Sequence, residues 1–535
     1  MIRIAQVRAE LDYASKPLEI LAAKALHIKP EEIASVRLAR KSVDARDKGD
    51  VHFSLTLDVE TKKPLKHLPR GAEEVREKPL PPMPQPRALN HPPLVVGLGP
   101  GGLFAGLRLA RAGLKPVVIE RGKCVEEREK DVEAFWNGGE FKPGSNVQFG
   151  EGGAGAFSDG KLNSGIKDPF CREVLETLYR FGAPEEILYM AKPHIGTDNL
   201  KNVVRNIREE IKRLGGTVLF ETKLERLVVE NGAITAAVLT GTDGERVLET
   251  QDVILAVGHS ARDTFQMLCN LGVPMSQKPF SIGARIEHKQ EMINRSQYGA
   301  AASHPALGAA DYKLSVHLPN GRAAYTFCMC PGGQVVAAAS EEGGVVVNGM
   351  SYFARDGENA NSAVLISVGP GDFGSDDPLA GVHFQRKWEE VAFRAGGSNY
   401  RAPAQLVGDF LNKKPSKKGG KVQPSYLPGV TWTKLDDCLP DFVADSLRQA
   451  LPMLDRKLKG FASPDAVLTG VEMRSSSPIR IERDKSCRSE LRGLYPCGEG
   501  AGYAGGILSA AVDGMRCADA LMDDPLEKEY SSKVK

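Results

Sequence analysis

The chain has 535 residues, of which 41% are hydrophobic and 26% are charged, and its formal net charge is +2. A chain of this length exceeds what one hydrophobic core usually holds, so two or three domains are expected. The composition is that of a globular protein, and the small net charge excludes a whole-molecule field that would favour nucleic acid or acidic membranes.

The sequence indicates neither export nor membrane insertion. Its first residues, MIRIAQVRAELD, alternate polar and apolar side chains instead of forming the charged start and apolar core of a signal peptide. No run approaches the roughly 18 apolar residues of a membrane span. Nine cysteines, scattered from Cys124 to Cys517 without a CxxC pair, do not form a secreted disulfide framework. We therefore expect a cytoplasmic protein that does not bind membranes.

Residues 1–62 predict a small α+β domain. The segment VHFSLTLDV, beginning at Val51, alternates as a strand does, and PLEILAAKALHI has helical spacing. The charged segment RLARKSVDARDK is typical of a solvated turn or sheet edge, with a contact to RNA or phosphate as the alternative. Nine prolines within residues 63–93 then predict an extended linker, so the N-terminal module should be separable.

Residues 94–122, LVVGLGPGGLFAGLRLARAGLKPVVIERG, predict a strand, a glycine turn, a helix and a second strand. Gly97 allows the tight turn, Gly99 lets the backbone approach a pyrophosphate, and Gly102 lets the helix pack closely on the strand. Free N–H groups at the helix start favour phosphate. Glu120 follows Gly99 by about 20 residues, where an acidic residue that holds ribose hydroxyls is expected. The segment predicts a dinucleotide site, against the alternative of a tight turn without a ligand.

Three other GxGxxG matches, beginning at Gly150, Gly369 and Gly500, do not open such a unit with a trailing carboxylate. The first lies in QFGEGGAGAFSDGKLNSG, residues 148–165. This segment suits a loop that lies against phosphate or a flavin ring, with a merely flexible loop as the alternative. The candidate cofactor-binding residues of this loop are Gly152, Gly153, Ser158, Asp159 and Lys161.

The chain returns to the nucleotide fold twice. Strand-like segments after residue 216 predict a β-meander, and an apolar strand then leads into Gly258, a further candidate for the cofactor site. Residues 493–522 predict a strand that ends at Gly498 and Glu499, followed by a helix start. This arrangement can hold the ribityl hydroxyls and the carbonyl edge of a flavin. The further candidates of this segment are Gly505, Gly506 and Ile507.

Several segments occur together in one known family: the ERG containing Arg121, FGEGGAGAFSDGKL, AVGHSARD, FSIGARIEH, YTFCMCPGG, VEMRSSSPIR and YPCGEGAGYAGGILSAAVDG. With them the chain resembles the bacterial FAD-dependent dehydrogenases, mostly uncharacterised NAD(P)/FAD-dependent oxidoreductases related to the glutathione-reductase-type flavoproteins. The resemblance covers nearly all of residues 94–522 and also KSVDARD and HFSLTLDV in the N-terminal domain. It implies FAD as the cofactor, with Arg121 beside it.

The predicted fold class is α/β. A Rossmann-like FAD-binding fold with a β-meander carries an inserted α+β substrate or cap domain and a small N-terminal α+β domain. The expected parts are 1–62 for the N-terminal domain, 63–93 for the linker, 94–273 and 481–535 for the FAD-binding domain, and 274–480 for the cap domain.

The chain departs from disulfide reductases, which carry a redox cysteine pair near the flavin and a second dinucleotide domain. Neither is found in this sequence. NADH or NADPH would therefore bind transiently, on the cap domain or at the flavin face, or another donor would supply the electrons. The expected partner is a small-molecule substrate; nucleic acid is not expected but stays open, as does the oligomeric state.

Candidate catalytic residues lie in three stretches. Arg474 and Arg480 flank SSSP and would suit an anionic substrate or a charge on reduced flavin; alternatively they pair with surface acids. Cys328 and Cys330, on one face of a strand, are either buried small hydrophobes or include a thiol that relays electrons or attacks substrate. Their spacing is poor for a disulfide, and no partner pattern suggests a metal. His259 is either a general acid or a backbone-bonded loop residue.

These features predict an FAD-dependent oxidoreductase, a dehydrogenase or reductase that transfers hydride between flavin and a small substrate, anionic if the arginines bind it. The alternative is an RNA-associated flavoprotein or a flavin-dependent interaction module, in which the N-terminal domain recruits the partner.

Overall fold

The computed structural model describes residues 1–76, 79–163 and 165–523. Residues 77–78 of the predicted linker, Ser164 of the glycine-rich segment and residues 524–535 of the predicted C-terminal part lie outside the described residues. Within the described ranges, no helix combines the length and the apolar character that crossing a bilayer requires.

The N-terminal domain is a four-stranded antiparallel sheet with one α-helix. Its elements are β1 (Ile2–Ala9), α1 (Leu18–Leu26), β2 (Ile33–Asp44), β3 (His52–Thr61) and β4 (Ala72–Glu74), and the strand order is β2–β3–β1–β4. The alternating side chains of β3 are buried as predicted, from Phe53 to Val59. The domain extends past the predicted boundary at residue 62, because β4 lies in the proline-rich segment and pairs with β1.

The next part of the chain contains a nucleotide-type βαβ unit and an antiparallel meander. Its elements are β5 (Leu94–Val96), α2 (Pro100–Arg111), β6 (Val117–Ile119), α3 (Val125–Trp136), α4 (Phe170–Arg180), α5 (Thr197–Arg213), β7 (Thr217–Leu219), β8 (Lys223–Glu230), β9 (Ala233–Gly241), β10 (Gly244–Glu249), β11 (Val253–Leu255) and α6 (Arg262–Asn270). The strands β8, β9 and β10 form the meander that the sequence predicted.

An inserted domain follows, built on a seven-stranded sheet of order β14–β15–β18–β13–β21–β19–β20. Its elements are β12 (Met275–Gln277), β13 (Phe280–Lys289), α7 (Gln290–Tyr298), β14 (Ser315–His317), β15 (Ala323–Cys330), β16 (Gln334–Ala337), β17 (Val347–Met350), β18 (Asn359–Val368), α8 (Pro370–Phe373), α9 (Ala380–Ala395), β19 (Ala402–Leu406), α10 (Val407–Leu411), β20 (Val430–Trp432), α11 (Asp441–Asp455), β21 (Val467–Glu472) and β22 (Ile479–Ile481). The chain enters through β12 and leaves through β22, and these two strands pair antiparallel.

The chain then completes a five-stranded parallel sheet with β23 (Leu494–Pro496) and the helix α12 (Ile507–Met522). The strand order is β23–β11–β5–β6–β7. On β5, Val95 packs into the core with α2, α5 and α12, whereas Leu94 and Val96 pack with the meander. Burial on both faces explains why these short strands are continuously apolar. All five strands end at one edge, where the connecting turns meet.

The proline-rich segment is docked on the body of the protein. Arg87 donates its backbone N–H to the Met522 carbonyl and its Nε–H to the Leu521 carbonyl, and it forms an ion pair with Asp252. The N-terminal sheet also contacts the nucleotide part, because the Lys41 N–H donates to the Tyr189 carbonyl at 2.7 Å. The expected separable module is therefore joined to its neighbours by hydrogen bonds.

A buried ion-pair cluster joins the inserted domain to the nucleotide part. Glu389 of α9 pairs at 2.7 Å with both Arg262 of α6 and Arg474, and the three side chains are at most 3% exposed. Burial alone would raise the pKa of Glu389, but the charges of Arg262 and Arg474 outweigh it and hold that pKa far below its ordinary value. The carboxylate is therefore charged at neutral pH and pairs with two arginines at the domain junction, of which Arg262 also pairs with Glu341.

We predict that Glu389→Gln lowers the free energy of unfolding by about 3–5 kcal/mol, because it leaves a buried positive charge uncompensated. Urea unfolding measures the change. The matched control is Glu390→Gln, at the exposed neighbouring position, which should change the same quantity by less than about 0.5 kcal/mol. Equal effects of the two substitutions would contradict the structural role of the cluster.

Candidate functional site

A cavity of about 440 Å³ lies at the carboxyl edge of the parallel sheet, between that sheet and the inserted domain. The turns after β5, β11 and β23 form one wall, and the glycine-rich loop and β15 form others. The chain connects β5 to β6 on one side, while β11 and β23 lie on the other side. Ligands of open α/β sheets bind at such a switch point.

The turn after β5 has room only for glycine. Gly97 adopts a φ of +96°, and a Cβ there would lie 2.4 Å from the Ala256 carbonyl oxygen. A Cβ on Gly102 would lie 1.8 Å from the Gly97 carbonyl oxygen. Gly99 is the N-cap of α2 and lines the cavity. The backbone N–H groups at the start of α2 are thus available to an anionic group, as the sequence predicted for a pyrophosphate.

Glu120 is 5% exposed and holds three segments around the cavity. Its Oε1 accepts the N–H groups of Gly122 and Gly150, and its Oε2 accepts the N–H of Leu98, each at 2.9 Å. A carboxylate oxygen has two acceptor positions, so Oε2 keeps one. Glu120 lines the cavity, which leaves that position for a ligand hydroxyl. The structure therefore adds a scaffolding role to the predicted ribose contact.

Arg121 is fixed at the same end of the cavity. It pairs with Asp263 at 3.0 Å, donates to Thr264 Oγ1 at 3.0 Å and lies over the Phe149 ring at 4.5 Å from its centroid. These contacts occupy much of the guanidinium, so the flat face of the group and its remaining N–H groups are what it offers to a ligand.

The glycine-rich loop forms the wall opposite α2. Gly153 adopts a φ of +59°, and a Cβ there would lie 3.1 Å from Gly99 Cα, so the two glycine segments touch backbone to backbone. Ser158 lines the cavity, and its Oγ donates to the Gly155 carbonyl at 2.7 Å. Gly152 does not line the cavity; its N–H donates to the Leu98 carbonyl at 2.8 Å. Gly152 therefore positions the loop, which corrects its predicted contact with the cofactor.

Asp159 and Lys161 have different roles although they are close in sequence. Asp159 is fully buried, and its carboxylate accepts two hydrogen bonds from Arg355 at 2.5 and 2.9 Å. Lys161 Nζ lies 3.7 Å from Asp159, and its side chain is 26% exposed. Because Arg355 already neutralises Asp159, Lys161 presents a positive charge to the cavity. Asp159 is thus better described as an anchor for Arg355 than as a direct cofactor ligand.

The C-terminal segment leaves open space in front of α12. A Cβ on Gly505, Gly506 or Gly258 would meet no atom within 4 Å, and all three positions line the cavity. Gly498 adopts a φ of +75° and donates its N–H to Asp513 at 2.7 Å. We call the turn at Gly97 and Gly99 with the start of α2 the first cradle. The space at Gly505 and Gly506, with the free N–H groups at the start of α12, forms the second cradle.

Glu499 and Ile507 border this second cradle. The Glu499 carboxylate accepts no hydrogen bond within the described residues, and desolvation raises its pKa to about 7 against the charge of Lys278. Ile507 packs against the glycine-rich loop, since a Cβ on Gly155 would lie 3.1 Å from it. A carboxyl group next to an apolar side chain suits a ligand with hydroxyls on one part and a flat ring on another.

The two cysteines of β15 are separated by a β-bulge. The register shifts between Phe327 and Cys330, and Cys328 adopts a φ of +42°. Cys328 lines the cavity, whereas Cys330 is fully buried and does not. Cys330 Sγ donates to the Cys328 carbonyl at 3.3 Å, and both thiols are free. The sequence predicted both cysteines on one face of a strand. That prediction overlooked the bulge, because the alternation of side chains alone does not reveal an inserted residue.

The pKa of Cys328 is lowered although burial opposes it; the neighbouring Cys330 side chain is the largest cause, and Lys161 and Arg285 add to the effect. The same contact raises the pKa of Cys330. Of this pair, Cys328 is therefore the thiol that ionises first, and it is also the one that faces the cavity.

Two residues near Cys328 had no signal in the sequence. Glu472, at the end of β21, is 4% exposed and pairs with Arg285 at 3.1 Å; burial raises its pKa to about 7. Tyr312 is 5% exposed, and its hydroxyl makes no hydrogen bond of ordinary distance and angle among the described residues. Both line the cavity. Neither belongs to a spaced motif, since Glu472 ends a buried strand and Tyr312 lies in a loop.

The predicted catalytic arginines differ in position. Arg474 lines the cavity, but its guanidinium is engaged by Glu389, by Ser260 at 3.0 Å and by Ser340. Its partners are buried, not the surface acids of the alternative. Arg480 is exposed on β22, stacks over Tyr503 and does not line the cavity. Arg480 therefore has no access to a reacting group there, which corrects its predicted catalytic role.

His259 lines the cavity, with Nδ1 at 3.0 Å from Ser260 Oγ. Desolvation and the charges of Arg474 and Arg262 lower its pKa to about 3. The imidazole is therefore neutral at physiological pH. This environment does not favour the predicted role as a general acid; a backbone hydrogen bond also acts on the imidazole, beside its contact with Ser260.

One group of potential metal ligands occurs among the described residues: Cys487, Asp513 and Cys517, with ligand atoms within 4.8 Å of one another. Arg483 pairs with Asp513 at 2.6 Å and donates to Cys517 Sγ at 3.3 Å. A guanidinium thus already neutralises this group, and the arrangement does not favour a cation.

Comparison with known proteins follows the same division of the chain. Residues 279–475 match the model described as FAD-dependent protein, C-terminal domain-like, and residues 1–60 match a domain of unknown function, DUF8436. The first match spans β13 to β21 of the inserted domain.

Among solved structures, the chain is similar to the FAD-complexed glycerol-3-phosphate dehydrogenase of Bacillus halodurans, with 12% identity, 82% of this chain and 65% of that chain covered, and a TM-score of 0.35. It is also similar to a geranylgeranyl bacteriochlorophyll reductase-like protein of Thermoplasma acidophilum, with 15% identity, 83% of each chain covered and a TM-score of 0.35.

An uncharacterized protein of Clostridium beijerinckii is 49% identical over 534 residues, with 98% of each chain covered. The chain therefore belongs to the same family as this protein, and its inserted domain is of the FAD-dependent protein, C-terminal domain-like type.

Proposed function

We propose that the protein is an FAD-dependent oxidoreductase that transfers hydride between the flavin and a small anionic substrate. The observation that carries the proposal is a single cavity with two glycine cradles at helix starts and a thiol, a carboxyl group and an ammonium group at its other end. The match of the inserted domain to an FAD-dependent type supports the cofactor.

The first cradle fits the ADP half of FAD. Gly97 and Gly99 leave the backbone at the start of α2 open to a pyrophosphate. Glu120 keeps one acceptor position for a ribose hydroxyl, as its three hydrogen bonds with the backbone leave Oε2 half used. Arg121 borders this end and offers a flat guanidinium face.

The second cradle fits the flavin half. Gly505 and Gly506 leave space that any side chain would fill, and the N–H groups at the start of α12 can donate to the carbonyl edge of the ring. Glu499 can accept from ribityl hydroxyls, and Ile507 offers an apolar contact to the ring. When bound, FAD supplies hydride transfer, the step that the protein side chains cannot perform.

The cavity mouth is the partly or fully exposed part of the lining that contains Lys161, Lys192, Asp311 and Lys313, and its charges favour an anion. Asp311 pairs with Lys192 at 2.7 Å. Within the described residues Lys313 has no ion-pair partner, and Lys161 lies beside an already neutralised carboxylate. The surplus of positive charge attracts anions to the entrance.

NADH or NADPH would have to reach this cavity from outside. The described residues contain one parallel sheet, and the GxGxxG matches at Gly369 and Gly500 precede the four-residue helix α8 and a turn. Neither opens a second strand–helix–strand unit. A nicotinamide donor would therefore bind transiently, on the inserted domain or at the flavin face, or another donor would supply the electrons.

The structure does not favour the alternative of an RNA-recruiting module. The basic stretch lies mainly on β2, where Arg37 donates to Asp58 at 2.9 Å, and Arg46 after it donates to Asp44 at 2.6 Å. Carboxylates thus match the charges of Arg37 and Arg46, whereas phosphate binding requires cations that are free to release counterions.

We expect the purified or reconstituted protein to bind FAD and the bound flavin to lose its visible absorbance on anaerobic addition of NADH or NADPH. Free FAD in the same buffer is the control, since it should not be reduced at the same rate. A protein that takes up no FAD would contradict the proposal. Uptake without reduction by either nicotinamide would contradict nicotinamide as the donor.

A second prediction concerns Gly506, whose backbone is extended and whose Cβ position faces open space. Gly506→Val should fill the second cradle without strain and weaken FAD binding by about 100-fold, or roughly 2.7 kcal/mol. Fluorescence titration with FAD measures the change, and thermal unfolding without FAD should be unaltered. Gly144→Val, at an exposed position with similar space, should leave FAD binding unchanged; equal loss in both variants would refute the assignment.

A further inference from the structure

The β-bulge in β15 directs one thiol into the cavity. Cys328 has a φ of +42°, a conformation that non-glycine residues rarely adopt and that the surrounding structure must therefore hold in place. Bulges often re-aim a side chain beside an active site. Here the bulge separates Cys328, on the cavity wall, from Cys330, which is fully buried.

The groups around Cys328 favour its thiolate, which is the nucleophilic form of cysteine. Arg285 Nη2 donates to the Cys328 carbonyl at 2.5 Å and lies 3.9 Å from Cys330 Sγ. These contacts hold the backbone of the bulge in place. Lys161 contributes a second positive charge from the glycine-rich loop. The opposing negative groups are Asp159, paired with Arg355, and two carboxyl groups, Glu472 and Glu499, whose pKa values are raised.

A buried hydroxyl at the same end of the cavity lacks a hydrogen bond of ordinary geometry. Tyr312 is 5% exposed, and among the described residues its Oη makes no hydrogen bond of ordinary distance and angle, although a buried hydroxyl normally does; the Ser362 hydroxyl lies close enough to interact with it. Glu472, 4% exposed, also lines this end and carries a carboxyl group that is partly protonated at neutral pH. The two groups can donate hydrogen bonds to an oxygen of a ligand, and Lys161 can pair with its anionic group.

We infer that Cys328 is the nucleophile of this site and that it adds to the carbonyl carbon of a small anionic carbonyl compound. The identification of the substrate rests on the proposed function, whereas the reactivity of the thiol does not.

The addition is balanced within the site. A lone pair of Cys328 Sγ forms the C–S bond, the π pair of the carbonyl moves to its oxygen, and that oxygen takes the proton of the Glu472 carboxyl. Tyr312 donates a hydrogen bond to the same oxygen, and Glu472 becomes a carboxylate that forms an ion pair with Arg285, from which the neutral carboxyl already accepts a hydrogen bond. The product is a thiohemiacetal; the addition itself requires no oxidant or reductant.

The first test measures how the rate of alkylation by iodoacetamide depends on pH at each cysteine of the full-length protein, by peptide mass spectrometry. The half-maximal rate at Cys328 should fall at least about one pH unit below that at Cys269, a partly exposed cysteine of α6. Burial slows alkylation but does not move this midpoint downwards. A midpoint at Cys328 equal to or above that at Cys269 would overturn the assignment.

Cys330→Ala should move the Cys328 midpoint upwards, because it removes the polar side chain that favours the Cys328 thiolate and the hydrogen bond from Cys330 to the Cys328 carbonyl. The matched control is Cys438→Ala, which alters another fully buried cysteine, in the short 3-10 helix after β20, and should leave the midpoint unchanged. A merely structural Cys330 would predict the same midpoint in both variants.

The second test uses pyruvate labelled with ¹³C at its carbonyl carbon, without any electron donor. Wild-type protein should convert part of the carbonyl signal into a tetrahedral-carbon signal, and Cys328→Ser and the neutral analogue acetone should not. No adduct with pyruvate would overturn the anionic carbonyl class. FAD uptake is measured separately, so the two proposals can fail independently. If the protein binds FAD and the flavin is reduced but no adduct forms, only this inference is refuted. If the adduct forms but the protein takes up no FAD, only the proposed function is refuted.

Discussion

The three hydrogen bonds that the Glu120 carboxylate accepts hold the site together. They join the turn after β5, the residue after Arg121 and the start of the glycine-rich loop, each at 2.9 Å. A buried carboxylate is costly unless it is hydrogen-bonded, and backbone N–H groups are strong partners for it. Together with the hydrogen bond from the Gly152 N–H to the Leu98 carbonyl, this contact brings the two glycine segments into backbone contact and shapes the first cradle.

The inserted domain completes the cavity from the other side. Its position depends on the buried contact of Glu389 with Arg262 and Arg474, which joins α9 to the nucleotide part. The same domain carries the bulge at Cys328 and the carboxyl group of Glu472. In the proposed function the chain thus separates two tasks: the parallel strand ends would hold the flavin cofactor, and the mostly antiparallel sheet would supply the groups that meet the substrate.

Local patterns made the cofactor side predictable. A Cβ at Gly97 or Gly102 would lie less than 3 Å from another atom, so these positions require glycine, and the resulting spacing is recognisable in the sequence. The substrate side has no comparable sequence motif. The bulge at Cys328 interrupts a strand whose alternation looks regular, and Tyr312 reaches the cavity only through tertiary packing. For the same reason the sequence could not tell the cavity-lining Arg474 from the exposed Arg480.

The most direct measurement is a crystal structure of the protein with FAD. We expect the pyrophosphate between Gly99 and Gly153, an adenosine ribose hydroxyl on Glu120 Oε2, and the isoalloxazine ring between Ile507 and the bulge of β15. Cofactor bound outside the cavity, or in the cavity with its ring at the Glu120 end, would contradict the proposed flavin site.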